Sequence, residues 1–295
     1  MGKSEIAYLL AKQFGAEILS VDAFQFYRGL PIGTNQPDSA WMKEVPHHLV
    51  ACRDPKEFWS APQYAAEALR VLREKQSHCI PMIAVGGSGF YLRALLEGAP
   101  EGSASDPTTR EGIFKVSSEL GPEATHRWLQ KHDPAAAARL NPNDSMRVRR
   151  ALEKSLAPPV APIASTECWG EKNAVVFGLE CSRDRLDENL RRRTELIWKN
   201  GLLVETQKLI DANISPDAPV WGAIGYREGL RFIQGSLTKE EALERIFRRT
   251  RQYAKRQWTW FRHHHNTQWV NLDSFPDVPS VVLYLSEQIK PLWNV

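Results

Sequence analysis

The sequence predicts an α/β protein: a parallel sheet flanked by helices, interrupted by a mainly helical insertion. Two short apolar runs, at 16–21 and 80–85, each end at a residue type suited to a ligand-facing turn, Asp22 in one case and Gly86-Gly87 in the other. Amphipathic segments alternate with them, which argues for strands covered by helices on both faces. The long middle stretch shows helical period with no strand between its helices.

Taken in order, residues 4–14 read as a helix because Ile6, Leu9, Leu10 and Phe14 share one face. The run at 16–21 reads as a buried strand. Residues 63–75 are amphipathic, 80–85 form a second strand, and 89–96 form the helix after the glycine pair. The small polar run at 101–107 predicts a hinge. From 108 to 155 the period is helical, and 156–165 carries Pro158, Pro159 and Pro162 and predicts a loop. Residues 175–179 return to strand. Residues 183–201 predict a charged helix closed by Gly201, and 239–261 another long helix. The domain reading is an α/β core of 1–103 and 176–295 with an insertion at 104–175.

Composition narrows the class. Hydrophobic residues make up 42% and charged residues 25%, as in a globular chain. No apolar run approaches the ~18 residues that cross a bilayer, and no secretory leader opens the chain. Cys52, Cys79, Cys168 and Cys181 form no C-x-x-C pair and read as reduced packing residues of a cytoplasmic protein. The net charge is only +3, but arginine and lysine cluster at 147–150, 191–193 and 245–262, which suits a polyanionic partner.

Gly2-Lys3-Ser4 runs straight into the first helix, which is the second half of a phosphate-binding loop, G-x-x-x-x-G-K-[ST]. Backbone N–H groups at the helix start bind phosphate, the lysine adds charge, and the Ser4 hydroxyl reaches Mg²⁺. The fold expected is therefore like that of P-loop nucleotide hydrolases. The leading strand and first glycine of the pattern do not precede Gly2. The expectation is an upstream natural start and a sheet short of one strand.

Further blocks follow in order. Ser20-Val21-Asp22-Ala23-Phe24-Gln25-Phe26-Tyr27 leads into Ile32-Gly33-Thr34; then come Val45-Pro46-His47-His48-Leu49 and Val85-Gly86-Gly87-Ser88-Gly89-Phe90-Tyr91. Asn143-Asp144 precedes Arg147, Arg150, Ala151, Leu152 and Glu153. Arg183 and Arg193 share a helix, and Ile224-Gly225-Tyr226-Arg227-Glu228 follows. The last block is Thr250-Arg251-Gln252-Tyr253-Ala254-Lys255-Arg256-Gln257 with Trp260-Phe261-Arg262. Over essentially the whole chain these blocks resemble the tRNA dimethylallyltransferase family. Ala23 stands for the usual serine, Ser88 for threonine, Asp187 for tyrosine and Asn189 for arginine.

The resemblance implies transfer of a dimethylallyl group from dimethylallyl diphosphate to N6 of the adenosine 3′ of a tRNA anticodon, position 37. It implies Asp22 as general base, with Arg193 and Ser88 catalytic. Gly2, Lys3, Ser4 and Arg193 would bind diphosphate with Mg²⁺. RNA would meet Asp22, Ala23, Phe24, Gln25 and Ser88 in the core, together with Gly225, Tyr226 and Arg227. In the insertion it would meet Arg110, Met146, Arg147, Val148, Arg149 and Arg150. The expected enzyme is a monomer that grips the anticodon stem-loop.

Two histidine features invite a metal reading. His47-His48 are adjacent and diverge on any regular element, so they read as hydrogen-bonding residues. His263-His264-His265 reads as a solvated helix end. Two other enzyme readings share the front motifs: a P-loop kinase for a small metabolite, and an isopentenyltransferase for free adenine nucleotide. A third is an RNA-binding protein without catalysis. None of the first two accounts for the basic insertion.

Overall fold

The computed structural model describes residues 2–98, 107–156, 168–170, 173–264 and 266–293. The hinge expected at 101–107, apart from Pro107, lies outside these residues. So do the proline loop at 156–165, apart from Leu156, and His265 of the histidine tract.

The chain forms two compact units: Met1–Glu97 with Cys168–Val295, and Gly98–Glu167. In the first, α1 (Lys3–Phe14), β1 (Glu17–Val21), α2 (Ser39–Glu44), β2 (His47–His48), α3 (Ala61–Ser77), β3 (Met82–Gly86) and α4 (Gly89–Glu97) run in order. The second unit holds α5 (Pro107–His132), α6 (Pro134–Arg139) and α7 (Ser145–Leu156). The first unit resumes with β4 (Val176–Glu180), α8 (Arg183–Lys199), α9 (Leu202–Asp211), α10 (Tyr226–Ile233), α11 (Lys239–His264), β5 (Thr267–Asn271) and α12 (Val278–Trp293).

All strand pairs among the described residues are parallel. β1 lies between β2 and β3, with Ile18 opposite both His47 and Ile83. β4 pairs with β5 in a separate ladder. Parallel strands with helical crossovers are the P-loop-like α/β fold that the sequence predicts. The central strand is apolar because it is covered: Ile18, Leu19 and Val21 are all buried.

Several helix boundaries have a local cause. Ser60 and Gln63 form a capping box at the start of α3, followed by Pro62 in the first turn. Gly15 closes α1 in the left-handed region, φ 62°. Helix α5 breaks at Gly121, φ 78°, just before Pro122. In the second unit Ile113, Leu129, Val148 and Leu152 form a small core of their own.

Six elements of the first unit have no counterpart in the sequence reading: α2, β2, α9, α10, β5 and α12. Trp169 and Gly170, assigned from sequence to the insertion, hydrogen-bond to Leu95 and Leu96 carbonyls at the end of α4 and belong to the first unit. The paired histidines are held by hydrogen bonds. His48 Nε2 meets Glu17 at 2.6 Å, and His47 Nδ1 meets the Val45 carbonyl at 2.7 Å. No three His, Cys, Asp or Glu residues cluster as a metal site among the described residues. Nor is any helix there long and apolar enough to cross a membrane.

Candidate active site

Asp22 is the first residue beyond β1, at the carboxyl end of the parallel strands where α/β folds place ligands. Its Oδ1 accepts hydrogen bonds from Phe24 N–H at 2.9 Å and Gln25 N–H at 3.3 Å. That turn fixes the carboxylate, and Oδ2 takes no hydrogen bond among the described residues. Burial pushes the Asp22 carboxyl above its ordinary range. The two N–H groups, then Lys3 and Arg193, pull the other way.

Lys3 opens α1. Gly2 caps that helix at φ 65°, and no side chain caps it, so its first N–H groups stay available to an anion. Ser4 stands in the same first turn, partly buried. Burial lowers the Lys3 pKa, Arg193 lowers it further, and Asp22 opposes both. Arg193 comes from α8, 190 positions along the chain from Lys3 by number. Burial lowers its pKa too, with Asp22 and then Tyr253 opposing. Arg193 is open to solvent along its surface. One carboxylate just past β1 and two cations, from α1 and α8, thus feel one another's charge.

Ser88 reaches the same place through the backbone. The N–H groups of Gly87 and Ser88 both donate to the Val21 carbonyl, at 3.2 and 3.1 Å, one residue from Asp22. The Ser88 carbonyl accepts from Tyr91 and Leu92 and so starts α4. Its hydroxyl takes no hydrogen bond among the described residues. Beneath lies an aromatic floor. Tyr64 stacks on Tyr91 with ring centres 4.3 Å apart, and the Tyr64 hydroxyl donates to the Ser20 carbonyl at 2.9 Å.

A buried carboxylate ties the loop after Asp22 to the far half of the chain. Glu205 on α9 accepts from the N–H groups of Ile32 and Gly33, at 2.7 and 2.8 Å, and from the Tyr226 hydroxyl at 2.8 Å. Gly33 must be glycine because a Cβ there would fall on the Tyr226 ring.

The RNA-facing candidates divide. Ala23 and Phe24 are partly buried beside Asp22, and Arg227 is exposed while its Nε donates to the Trp221 carbonyl at 3.0 Å. Gln25 is buried, its amide bonded to Ser20 and to the Asn35 carbonyl. Tyr226 is 0% exposed, so the expectation that it packs on bases is corrected: it is a core ring held by Glu205. Gly225 beside it is buried against Leu202. In the second unit Met146 and Arg147 are exposed. Val148 is 0% exposed, so its side chain is also corrected from RNA contact to core. Arg149 lies over the Phe114 ring at 4.8 Å, while Arg150 and Arg110 reach the buried Glu153 at 2.6 and 3.8 Å.

Tyr253 and Gln257 on α11 belong to the last sequence block, which carries no site role in the sequence reading. Burial raises the Tyr253 pKa, and the Asp22 charge raises it further, so this ring shares the site. Spacing gives the further signal: 253, 257, 260 and 264 share one helix face.

A helix start and two cations beside a strand-end carboxylate define a class of enzyme that acts on phosphorylated donors in an α/β frame. Within that class the chain belongs to the IPP transferase family, whose model matches residues 25–264. It is 36% identical to the tRNA dimethylallyltransferase of Geobacter sulfurreducens over 285 residues, 94% of this chain and 92% of that one. The Thermomicrobium roseum tRNA dimethylallyltransferase is 37% identical, over 92% and 83% of the two chains. Among solved structures, the tRNA isopentenylpyrophosphate transferase of Bacillus halodurans matches with a TM-score of 0.71 at 33% identity, over 99% and 93% of the chains. A eukaryotic dimethylallyltransferase captured acting on tRNA shares the fold with a TM-score of 0.73, at 24% identity over 99% and 77%.

Proposed function

We propose that this enzyme moves a dimethylallyl group from dimethylallyl diphosphate to N6 of the adenosine 3′ of a tRNA anticodon and releases diphosphate. The observation that carries the reading is the shared field of Lys3, Asp22 and Arg193 at the carboxyl end of the sheet.

In the reaction the N6–C1 bond forms as the C1–O bond breaks. The electron pair leaves with the diphosphate, and the N6 proton goes to Asp22. Charge builds on the departing diphosphate, so donors aimed there lower the barrier most. The first N–H groups of α1, Lys3 and the Arg193 guanidinium supply them. A desolvated Asp22 whose carboxyl is raised is a better base than a solvated carboxylate, and its fixed Oδ1 leaves Oδ2 to face the amine.

Mg²⁺ fits these residues only as an ion that arrives with the diphosphate. Ser4 offers one oxygen, which matches the habit of Mg²⁺ of keeping waters and substrate phosphates as ligands. When bound it adds positive charge to the leaving group.

The target base must leave its stack, which favours a single-stranded anticodon loop. The exposed Met146 and Arg147 of the second unit, with Phe24 and Arg227 of the first, are the proposed RNA contacts. The enzyme is proposed to act as a monomer in the cytoplasm. The test is transfer of labelled dimethylallyl diphosphate to unmodified tRNA, to AMP, and to no acceptor with ATP present. Label in tRNA alone supports the reading. Label in AMP, or phosphate transfer from ATP without RNA, overturns it.

A further inference from the structure

Helix α11 carries the most distinctive block of the sequence, yet none of its residues has a part in the reaction described so far. One of its faces presents Tyr253, Gln257, Trp260 and His264. That face lies on the turn between β3 and α4. A Cβ placed on Gly87 would fall on the Gln257 amide, with Cδ 2.7 Å away. A Cβ on Gly89 would fall on the Trp260 indole, which is itself stacked on His264 at 4.5 Å. The turn so covered is the one whose Gly87 and Ser88 N–H groups hold the Val21 carbonyl next to Asp22. The Gln257 side chain also reaches Tyr253, the ring that shares the field of Asp22 and Arg193.

We infer that Gln257 is a positioning residue for the transfer step: wedged against Gly87, it sets the turn that presents Ser88 beside Asp22. This rests on the proposed function and adds a residue to it. Its physical basis is close packing. The glycine leaves a notch of one methyl group, and the glutamine end fills it. Without that wedge the turn can shift toward α11 and take the Ser88 hydroxyl with it. A shift of about 1 Å in a reacting geometry can cost roughly a hundredfold in rate.

The test is the single-turnover rate with enzyme saturating over trace tRNA and with dimethylallyl diphosphate saturating. This rate does not depend on how much of the enzyme is folded, so a wedge that served stability alone would leave it unchanged. Gln257→Ala is expected to lower it by roughly ten- to a hundredfold, with KM for tRNA within about threefold of wild type. Gln257→Met, of equal length, is expected to keep most of the rate. Gly87→Ala must expel the glutamine end, so it should match Gln257→Ala, and the double variant should be no slower than either single one. An unchanged rate in Gln257→Ala, or two losses that multiply in the double variant, overturns the inference. Transfer by the wild-type enzyme is the control: if that is absent, the proposed function fails instead.

Discussion

Asp22 sits where its charge is costly. Its folded carboxyl is raised, so the unfolded chain gives up that proton more readily as pH rises. Ionised Asp22 therefore destabilises the folded state at neutral pH. Asp22→Asn keeps an Oδ1 for the Phe24 and Gln25 N–H groups and removes that cost. It is expected to melt higher than wild type in calorimetry at neutral pH, while below the ordinary carboxylate range the two should converge. A lower melting temperature at neutral pH would contradict this. Arg193→Ala should raise KM for dimethylallyl diphosphate and lower turnover by roughly 10²- to 10³-fold, the usual loss when a donor to developing charge is removed. Arg193→Lys should recover only part, because an ammonium cannot fork onto two phosphate oxygens. Unchanged donor kinetics would remove Arg193 from the site. Asp22, Lys3 and Arg193 were legible because their positions are local: a helix start, a strand end, a motif helix. Tyr226 and Val148 misled because an aromatic or apolar residue inside a motif looks the same whether it faces a ligand or the core. Only packing against Glu205, or against Leu129 and Leu152, decides between the two.

At the scale of elements, α9 and α10 act as a brace for the loop after Asp22. Glu205 satisfies two backbone N–H groups and a buried hydroxyl at once. Glu205→Ala leaves the two N–H groups without partners and the Tyr226 hydroxyl with only the Leu30 carbonyl at 3.5 Å, and should cost about 2 kcal/mol or more, at ~1–3 kcal/mol per buried orphan. Gly33→Ala should destabilise comparably, because its methyl meets a ring that is itself pinned. Urea unfolding measures both, and a loss below about 1 kcal/mol would contradict the brace. These elements escaped the sequence reading for physical reasons. Helix α10 spans only 8 residues, too few for a period to declare itself. Helix α12 contains Pro291 and three valines, which argue against a helix locally; its packing on α1 through Val281, Leu285 and Ile289 overrides that. Strand β5 exists because β4 lies beside it. The elements that were legible, α1, β1, α3, β3, α4, α8 and α11, carry strong periods or clear turn signals of their own.

Across the whole molecule, exposed cations occur in both units: Arg227 in one, Arg147 in the other. Their proposed partner is a phosphate backbone. The logarithm of kcat/KM for tRNA should then fall linearly with the logarithm of salt, by about 0.7–0.9 for each phosphate neutralised. Arg147→Ala, whose ion pair with Asp144 is loose at 3.5 Å and solvent-exposed, should make that slope shallower by about one such contact without changing turnover at saturating tRNA. A slope equal to that of wild type would take Arg147 out of the interface. The two-part organisation was readable from composition, since strands stop before the insertion and resume after it. Its boundary near Cys168 was not, because the Trp169 contact with α4 is made by backbone groups that leave no mark in sequence.

The central claim is that Asp22 takes the proton while the cationic cradle takes the diphosphate. The most direct measurement is the pH dependence of the single-turnover transfer rate in wild type and Asp22→Asn. Wild type should show a rate that rises with pH through one ionisation lying above the ordinary carboxylate range, in keeping with the raised Asp22 carboxyl. Asp22→Asn should lose that rise and run roughly 10²- to 10⁴-fold slower, with tRNA affinity unchanged within a few-fold. An Asp22→Asn enzyme that keeps both the rate and the acid limb would contradict the claim.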